Sequence, residues 1–229
     1  MNEIINPQKL FDKLLSDSKI LSSSGIITFS LSNVHVIINT TDTVGIILQS
    51  WVKQWLINNN IYFSEPENTQ KFPDFFLNNS DKKNNILEIK AFNYDRTPAF
   101  DIANFESYCS SIAEKAYYLN ADYLIFGYDM NSKGRITIKK IWLKKIWEIA
   151  GTSERFPLKT QVKRGMIYNI RPSTNFKVGK PSSFKNKEEF IKAIYGTLIK
   201  YKNNEIASNW LEKITKSYQV YFSQKLDIK

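Results

Sequence analysis

Hydrophobic residues recur along this chain with two different periods, and the points where the period changes mark out its elements. Leu10, Phe11, Leu14 and Leu15 have the spacing of one helical face, predicting a helix over 7–21 that ends at the breaker Ser22-Ser23-Ser24-Gly25. Over 26–38 the period falls to two, through Ile27, Phe29 and Leu31 and then Val34, Val36 and Ile38. The break at Ser32-Asn33 predicts a hairpin, with the sole histidine, His35, on its polar face. A three- and four-residue spacing returns over 42–58, through Val44, Leu48, Trp51, Val52 and Trp55, behind a cap at Thr41 or Asp42.

Beyond Asn58-Asn59-Asn60, three short apolar runs at 61–64, 72–77 and 86–92 read as strands separated by polar loops. Asp101 reads as the cap of an amphipathic helix reaching Leu119, with Ile102, Phe105, Cys109, Ile112 and Ala116 on one face. A strand at 123–128 follows, then one at 135–147 leading to a helix or an extended hairpin, then one at 165–171 after a basic loop. Helices near 187–202 and 205–225 close the chain. This order predicts an α/β fold with a central mixed sheet flanked by helices and followed by C-terminal helices. At 229 residues and 42% apolar content, a single domain over 1–229 is expected, with a core at about 42–129 and a basic portion at about 131–229.

Two of the strand-like runs carry charge where apolar residues would suffice. Pro73-Asp74 lies in one, and Glu88-Ile89-Lys90 follows 14 residues after the aspartate in the next. Side chains alternate along a strand, so Glu88 and Lys90 share a face while Leu87, Ile89 and Ala91 face the core. A hairpin through 78–84 would bring Asp74 beside them. Two carboxylates and an amine suit metal-assisted phosphodiester hydrolysis: the acids hold Mg²⁺ as hard oxygen ligands, with the Ile89 carbonyl as a third oxygen, and Lys90 holds the attacking water. The bland alternative is a set of solvated charges on an edge strand.

Charge distribution sharpens the choice. The net +10 is uneven: residues 1–130 hold 10 basic and 15 acidic groups, and residues 131–229 hold 22 and 7. A basic half fits a polyanionic partner, because Lys and Arg that neutralise phosphates release condensed counterions. A solvated lysine-rich surface would give the same count. The single Cys109 cannot close an intramolecular disulfide, no run approaches the length of a membrane span, and no leader pattern is evident, so a cytoplasmic protein without membrane attachment is expected.

Pro73-Asp74 with Glu88-Ile89-Lys90 resembles the signature of the PD-(D/E)XK nuclease superfamily, and the size and element order resemble its type II restriction endonucleases, whose core runs αβββαβ. The resemblance implies Asp74 and Glu88 as metal ligands, Lys90 as catalytic lysine, and double-strand DNA cleavage leaving 5′-phosphate and 3′-hydroxyl ends. It further implies a homodimer and a cognate DNA methyltransferase as genetic partner. Many members place a glutamate on the helix before the first strand; here the nearest polar residue is Gln49, a supporting candidate or an ordinary surface glutamine. Rival functions are a structure-selective nuclease acting on junctions or damage, and a basic nucleic-acid-binding protein without catalysis.

Arg96, in the polar loop after the catalytic strand, is a candidate phosphate clamp, or a plain surface arginine. The run Lys159, Gln161, Lys163 and Arg164, continuing to Arg171, carries groups able to read base edges or grip phosphates; Lys177 and Asn175 are weaker candidates. Gly165-Met166-Ile167-Tyr168 hints at the GIY-YIG nucleases, but no Tyr-Ile-Gly follows. Trp142 and Trp147 flank Lys144 and Lys145, an arrangement of core tryptophans or, less readily, of base-stacking ones.

Overall fold

The computed structural model describes residues 2–68 and 72–228. In chain order the elements are α1 (Pro7–Ser16), β1 (Ser24–Leu31), β2 (Val34–Ile38), a 3₁₀ turn (Thr41–Thr43), α2 (Val44–Asn58), β3 (Phe75–Phe76), β4 (Ile86–Asn93), β5 (Ala103–Asn104) and α3 (Phe105–Glu114). A second 3₁₀ turn (Ala116–Asn120) leads to β6 (Asp122–Met130), β7 (Arg135–Lys145), α4 (Ile146–Ile149), β8 (Thr160–Lys163), β9 (Met166–Ile170), α5 (Asn175–Val178), α6 (Lys187–Tyr201) and α7 (Asn204–Phe222). This is the mixed α/β architecture that the periodicity predicts.

Packing divides the chain into two units, Met1–Pro98 with Asp122–Lys144, and Ala99–Ala121 with Lys145–Lys229. The division cuts across the boundary expected near residue 130, because β6 and β7 belong with the first unit and α3 with the second.

The first unit holds a six-stranded mixed sheet in the order β2-β1-β7-β6-β4-β3. It contains the parallel pair β4–β6, with Leu87 opposite Asp122 through Asn93 opposite Tyr128. One face is covered by α1 and α2, whose Leu10, Leu14, Val44, Leu48, Val52 and Leu56 form one buried cluster with Leu87, Ile89, Leu124 and Phe126. Asn6 starts α1 by accepting the Lys9 amide, and Pro7 occupies the first turn, where its missing N–H costs nothing. The Asn131–Gly134 turn between β6 and β7 passes against the hairpin. A side chain at Gly134, whose φ is +72°, would meet Ile37 Cγ2 at 2.6 Å. Trp142 is buried in a stack with Phe92 and Tyr94 (ring centroids 5.6 and 6.2 Å apart), which a Cβ at Gly127 would also strike. It is therefore a core residue and not a platform for bases.

Several boundaries differ from expectation. The run 61–64 forms no strand, only single bridges from Ile61 to Glu3 and from Ser64 to Phe76, and Pro66, two residues on, cannot donate to a ladder that would extend it. The strand expected at 72–77 shrinks to Phe75–Phe76, antiparallel to Ile86–Leu87. The run expected at 135–147 is a strand to Lys145 and then a short helix. The helix expected behind an Asp101 cap begins three residues later, behind Asn104. Ala103 and Asn104 are held extended by pairing with Ile170 and Asn169, and Asn104 supplies the cap by accepting the Ser107 amide. That helix ends at Glu114, before a 3₁₀ turn, instead of continuing to Leu119.

In the second unit a three-stranded sheet, β5-β9-β8, stands beside the helices α3, α6 and α7. The segment before β9, expected as a loop, is itself a strand: β8 and β9 form a hairpin turned by Arg164 and Gly165, both at positive φ (51° and 79°). Two successive positive-φ residues are what a tight two-residue hairpin loop requires. Among the described residues no helix is long and apolar enough to cross a membrane.

Candidate active site

Three elements of the first unit converge on Asp74. Strand β4 is apolar enough to lie inside the sheet, between β6 and β3, and its alternation turns Leu87 and Ile89 into the core beneath α2. Glu88 and Lys90 are thereby left on the other side, as the spacing predicts. Asp74 immediately precedes β3, which the register of Phe75 opposite Leu87 ties to β4; the Phe72-Pro73 peptide before it is cis. Helix α2 supplies Gln49, one residue beyond the buried Leu48.

The contacts are specific. The Ile89 amide donates to Asp74 Oδ2 at 2.6 Å, and Gln49 Nε2 donates to Asp74 Oδ1 at 2.7 Å. In return the Asp74 amide donates to Glu88 Oε2 at 3.1 Å, while Lys90 Nζ lies 2.9 Å from Glu88 Oε1. Glu88 is only 7% exposed, the one charged residue that is buried among the described residues. Each carboxylate is thus fixed through a backbone amide of the other's segment, which aligns the pair without using up its lone pairs.

Burial, and secondarily the negative charge of Glu88, pushes the Asp74 carboxyl up to about 7, against the opposing pull of the Ile89 amide and the Lys90 ammonium. A site that resists its own negative charge is one that a cation stabilises. Glu65 adds a smaller push in the same direction and is itself held by Lys53 Nζ at 2.6 Å. Lys53 lies one helical turn after Gln49, so α2 presents a polar row, Gln49 to Asp74 and Lys53 to Glu65. Sequence reasoning missed Glu65 and Lys53. No local pattern pairs them, because the contact depends on how the segment holding Glu65 lies against α2.

No group of three or more His, Cys, Asp or Glu side chains among the described residues is arranged to hold a metal. Mg²⁺ does not need one, since it keeps several waters and takes one or two carboxylates. Asp74 and Glu88 would supply those. The Ile89 carbonyl leaves the strand on the same side as the Ile89 amide, toward Asp74, by the geometry of an extended chain. The donor set is all oxygen and fits a hard divalent cation.

A profile described as NgoBV restriction endonuclease matches residues 4–229. The chain belongs to the NgoBV restriction endonuclease family. It is similar to the type II restriction enzyme NlaIV of Neisseria lactamica, 41% identical over 229 residues, which are 98% of this chain and 93% of that enzyme. It is also similar to the type II restriction enzyme NgoBV of Neisseria gonorrhoeae, 41% identical over 165 residues, 70% of this chain and 91% of that enzyme. The solved NlaIV restriction endonuclease superposes with a TM-score of 0.91 at 40% identity, covering 100% of this chain and 94% of that one. As a member of the family the chain is a site-specific endonuclease of the type II restriction class, as its motif suggested, and not a binding protein without catalysis.

The remaining site candidates of this NgoBV-family chain lie elsewhere. Arg96 is exposed in the turn after β4, where its amide donates to the Asn93 carbonyl. Lys159, Gln161, Lys163, Arg164, Arg171 and Lys177 are all in the second unit. Lys163 and Arg164 are exposed at the β8–β9 tip, with Lys163 Nζ 5.6 Å from the centre of the Tyr168 ring. Gln161 Oε1 accepts from Asn169 Nδ2 at 3.1 Å, a cross-strand amide pair that no local pattern reveals. Arg171 is held by Asp101 and Lys159 Nζ donates to the Pro172 carbonyl, so both charges are met inside the unit. Lys177 sits half-buried in α5, and Asn175 Nδ2 donates to the Pro181 carbonyl.

Proposed function

We propose that Asp74, Glu88 and Lys90 form a Mg²⁺-dependent centre of the PD-(D/E)XK type that cuts both strands of a specific DNA sequence. The observation that carries this reading is the mutual locking of Asp74 and Glu88 through each other's backbone amides, with Lys90 against the second carboxylate. Asp74, Glu88 and the Ile89 carbonyl would hold Mg²⁺, which when bound would supply Lewis-acid neutralisation of the phosphate and make the attacking water more acidic. Lys90 holds the attacking water by hydrogen bond and meets the negative charge that grows on the phosphoryl oxygens. Gln49 keeps the Asp74 carboxylate from rotating out of this arrangement. Attack at phosphorus breaks the P–O3′ bond, leaving a 5′-phosphate, and the departing 3′ oxygen takes up a proton to become a hydroxyl.

Binding falls to other residues. Arg96 takes a phosphate near the end of β4. The β8–β9 hairpin is a two-stranded ribbon of the kind the major groove admits. Its Gln161–Asn169 pair offers amide groups to base edges, and Lys163 and Arg164 at the tip take phosphates. The second unit carries 18 basic against 10 acidic residues and the first 14 against 12, which favours the second as the source of non-specific grip. The active form is two chains on a two-fold site, working in the cytoplasm beside a methyltransferase that protects the same sequence.

The test is incubation of unmethylated phage and plasmid DNA with the protein in Mg²⁺ or EDTA, beside Asp74→Ala and Lys90→Ala. Discrete Mg²⁺-dependent fragments lost in both variants are expected. Metal-independent cutting, or fragments that persist in Asp74→Ala, would refute the assignment.

A further inference from the structure

We infer that the β1–β2 hairpin is a self-association surface on which a second copy of this chain packs, apolar face to apolar face. The inference rests on the two-chain form proposed above and names the surface that makes it.

The register of the hairpin sets Leu31 opposite Val34, Phe29 opposite Val36 and Ile27 opposite Ile38, so these six residues share one face. Ile27, at the base, packs against the buried cluster of the first unit. Farther out, nothing among the described residues buries the same face. Leu31 is 67% exposed, Val34 59%, Phe29 56% and Val36 45%. The period-two alternation that predicts a half-buried strand is thus present, while the layer that would bury it is not supplied by the first unit. Only Ser24, Gly25 and Ile26 of β1 pair with β7, so the distal half of the hairpin extends past the sheet. Beside the hairpin base an apolar cleft of about 240 Å³ is lined by Ile26, Ile27, Ile47, Trp51, Ile136 and Ile138.

The charge pattern says what covers this face. From Ile20 to Val52 the only charged residue is Asp42, in a chain where 24% of residues are charged. Without Lys or Arg the hairpin is no phosphate-binding surface. Strand β2 is also the edge of the six-stranded sheet, and it lacks the Lys, Pro or inward charge with which edges are ordinarily protected against pairing. Two copies of a chain with net charge +10 repel one another over most of their surface. This uncharged face is where they can meet without that repulsion, and an isologous two-fold contact needs a patch complementary only to itself.

Sedimentation equilibrium of the full chain tests it. Wild type is expected at twice the chain mass of 26.7 kDa. Leu31→Lys/Val36→Lys, altered at two exposed positions and checked for folding by circular dichroism, is expected at the mass of one chain at the same concentration. Ile206→Lys/Val220→Lys, on exposed apolar positions of α7, is expected to stay paired. Hydrogen exchange at the amides of 28–37 should slow as wild-type concentration rises. A wild type of single-chain mass overturns both the two-chain reading and this surface. A paired Leu31→Lys/Val36→Lys variant, or exchange independent of concentration, overturns the surface alone and leaves the two-chain reading standing.

Discussion

The β3–β4 pair and the β8–β9 ribbon are both short antiparallel strand pairs, and they carry charge in opposite ways. In the first, Glu88 is buried and its oxygens are taken by Lys90 and by the Asp74 amide. In the second, Lys163 and Arg164 stand in solvent at a tight turn. Buried charge is expensive to hold and strongly directed, so each group at β3–β4 is expected to have its own role. Exposed charge is cheap and interchangeable, so the ribbon charges are expected to count as two among the 18 basic residues of their unit. Substitutions in the two places should therefore differ in kind as well as in size.

The largest effect is expected at the buried pair. Asp74→Ala and Lys90→Ala should each lower the single-turnover cleavage rate by about 10³-fold or more, in line with losing a ligand or a transition-state donor. DNA binding, measured by anisotropy in Ca²⁺, should change little. Equal losses of binding and rate would mean that the pair grips DNA instead of reacting with it, and the comparison would collapse.

Next is Gln49. Its side-chain amide donates to Asp74 Oδ1, so in the proposed mechanism it acts as a positioning residue. Gln49→Ala is expected to raise the Mg²⁺ concentration for half-maximal cleavage by about 10-fold, within the range for groups that orient a ligand. The rate at saturating Mg²⁺ should be largely restored. Gln49→Glu, which adds a carboxylate, should instead lower the Mg²⁺ requirement. A merely structural role would cut the saturated rate in both variants without moving the metal dependence.

How far the sequence led can be judged from these same residues. Glu88 and Lys90 were legible because β4 is a regular strand: period two fixes which side chains share a face, and Leu87 and Ile89 announce the buried one. Asp74 was legible as part of a motif, but its strand was not, since β3 is two residues long and held by position more than by propensity. The start of α3 was misplaced because Asp101 and Asn104 are equally good caps locally; the pairing of Ala103 and Asn104 with β9, about 65 residues away, decides between them. The Gln161–Asn169 pair and the Lys53–Glu65 pair were invisible for the same reason, that each needs a register no local pattern sets. The hairpin at 24–38 teaches the reverse lesson. Its pattern predicted β structure correctly, yet the burial implied by the pattern is absent from the first unit.

A third expectation follows from burial at β3–β4. Asp74 has its pKa raised from 3.8 to about 7 in the metal-free protein. A raised carboxyl binds its proton more tightly when folded, so its stabilisation is full below about pH 4 and is lost as pH rises through about 7. Metal-free protein should accordingly be less stable at pH 8 than at pH 5.5, and Asp74→Asn should recover on the order of 1–2 kcal/mol of that difference in urea unfolding. Mg²⁺, which requires the ionised form, should bind more tightly as pH rises through the same window. If Asp74→Asn leaves the pH dependence intact, the strain at this strand pair lies elsewhere.

The smallest effects belong to the ribbon, and they are the ones that separate grip from readout. Removing one phosphate-neutralising charge should reduce the slope of log K against log salt by about 0.9. Lys163→Ala and Arg164→Ala are each expected to do so, weakening binding to every sequence alike. Lys216→Ala is the control: its ammonium is exposed and tied to Glu212 on α7, and its removal should leave the slope unchanged. Gln161→Ala should behave differently from all three, with an unaltered slope but poorer discrimination at one base pair, by about 1–3 kcal/mol. Should Gln161→Ala weaken cognate and non-cognate DNA equally, the amide pair with Asn169 would be bracing the ribbon and the bases would be read by another element. Should Lys163→Ala and Arg164→Ala leave the slope where Lys216→Ala leaves it, the exposed ribbon charges would be solvated surface, and the contrast with the buried pair would be one of burial alone.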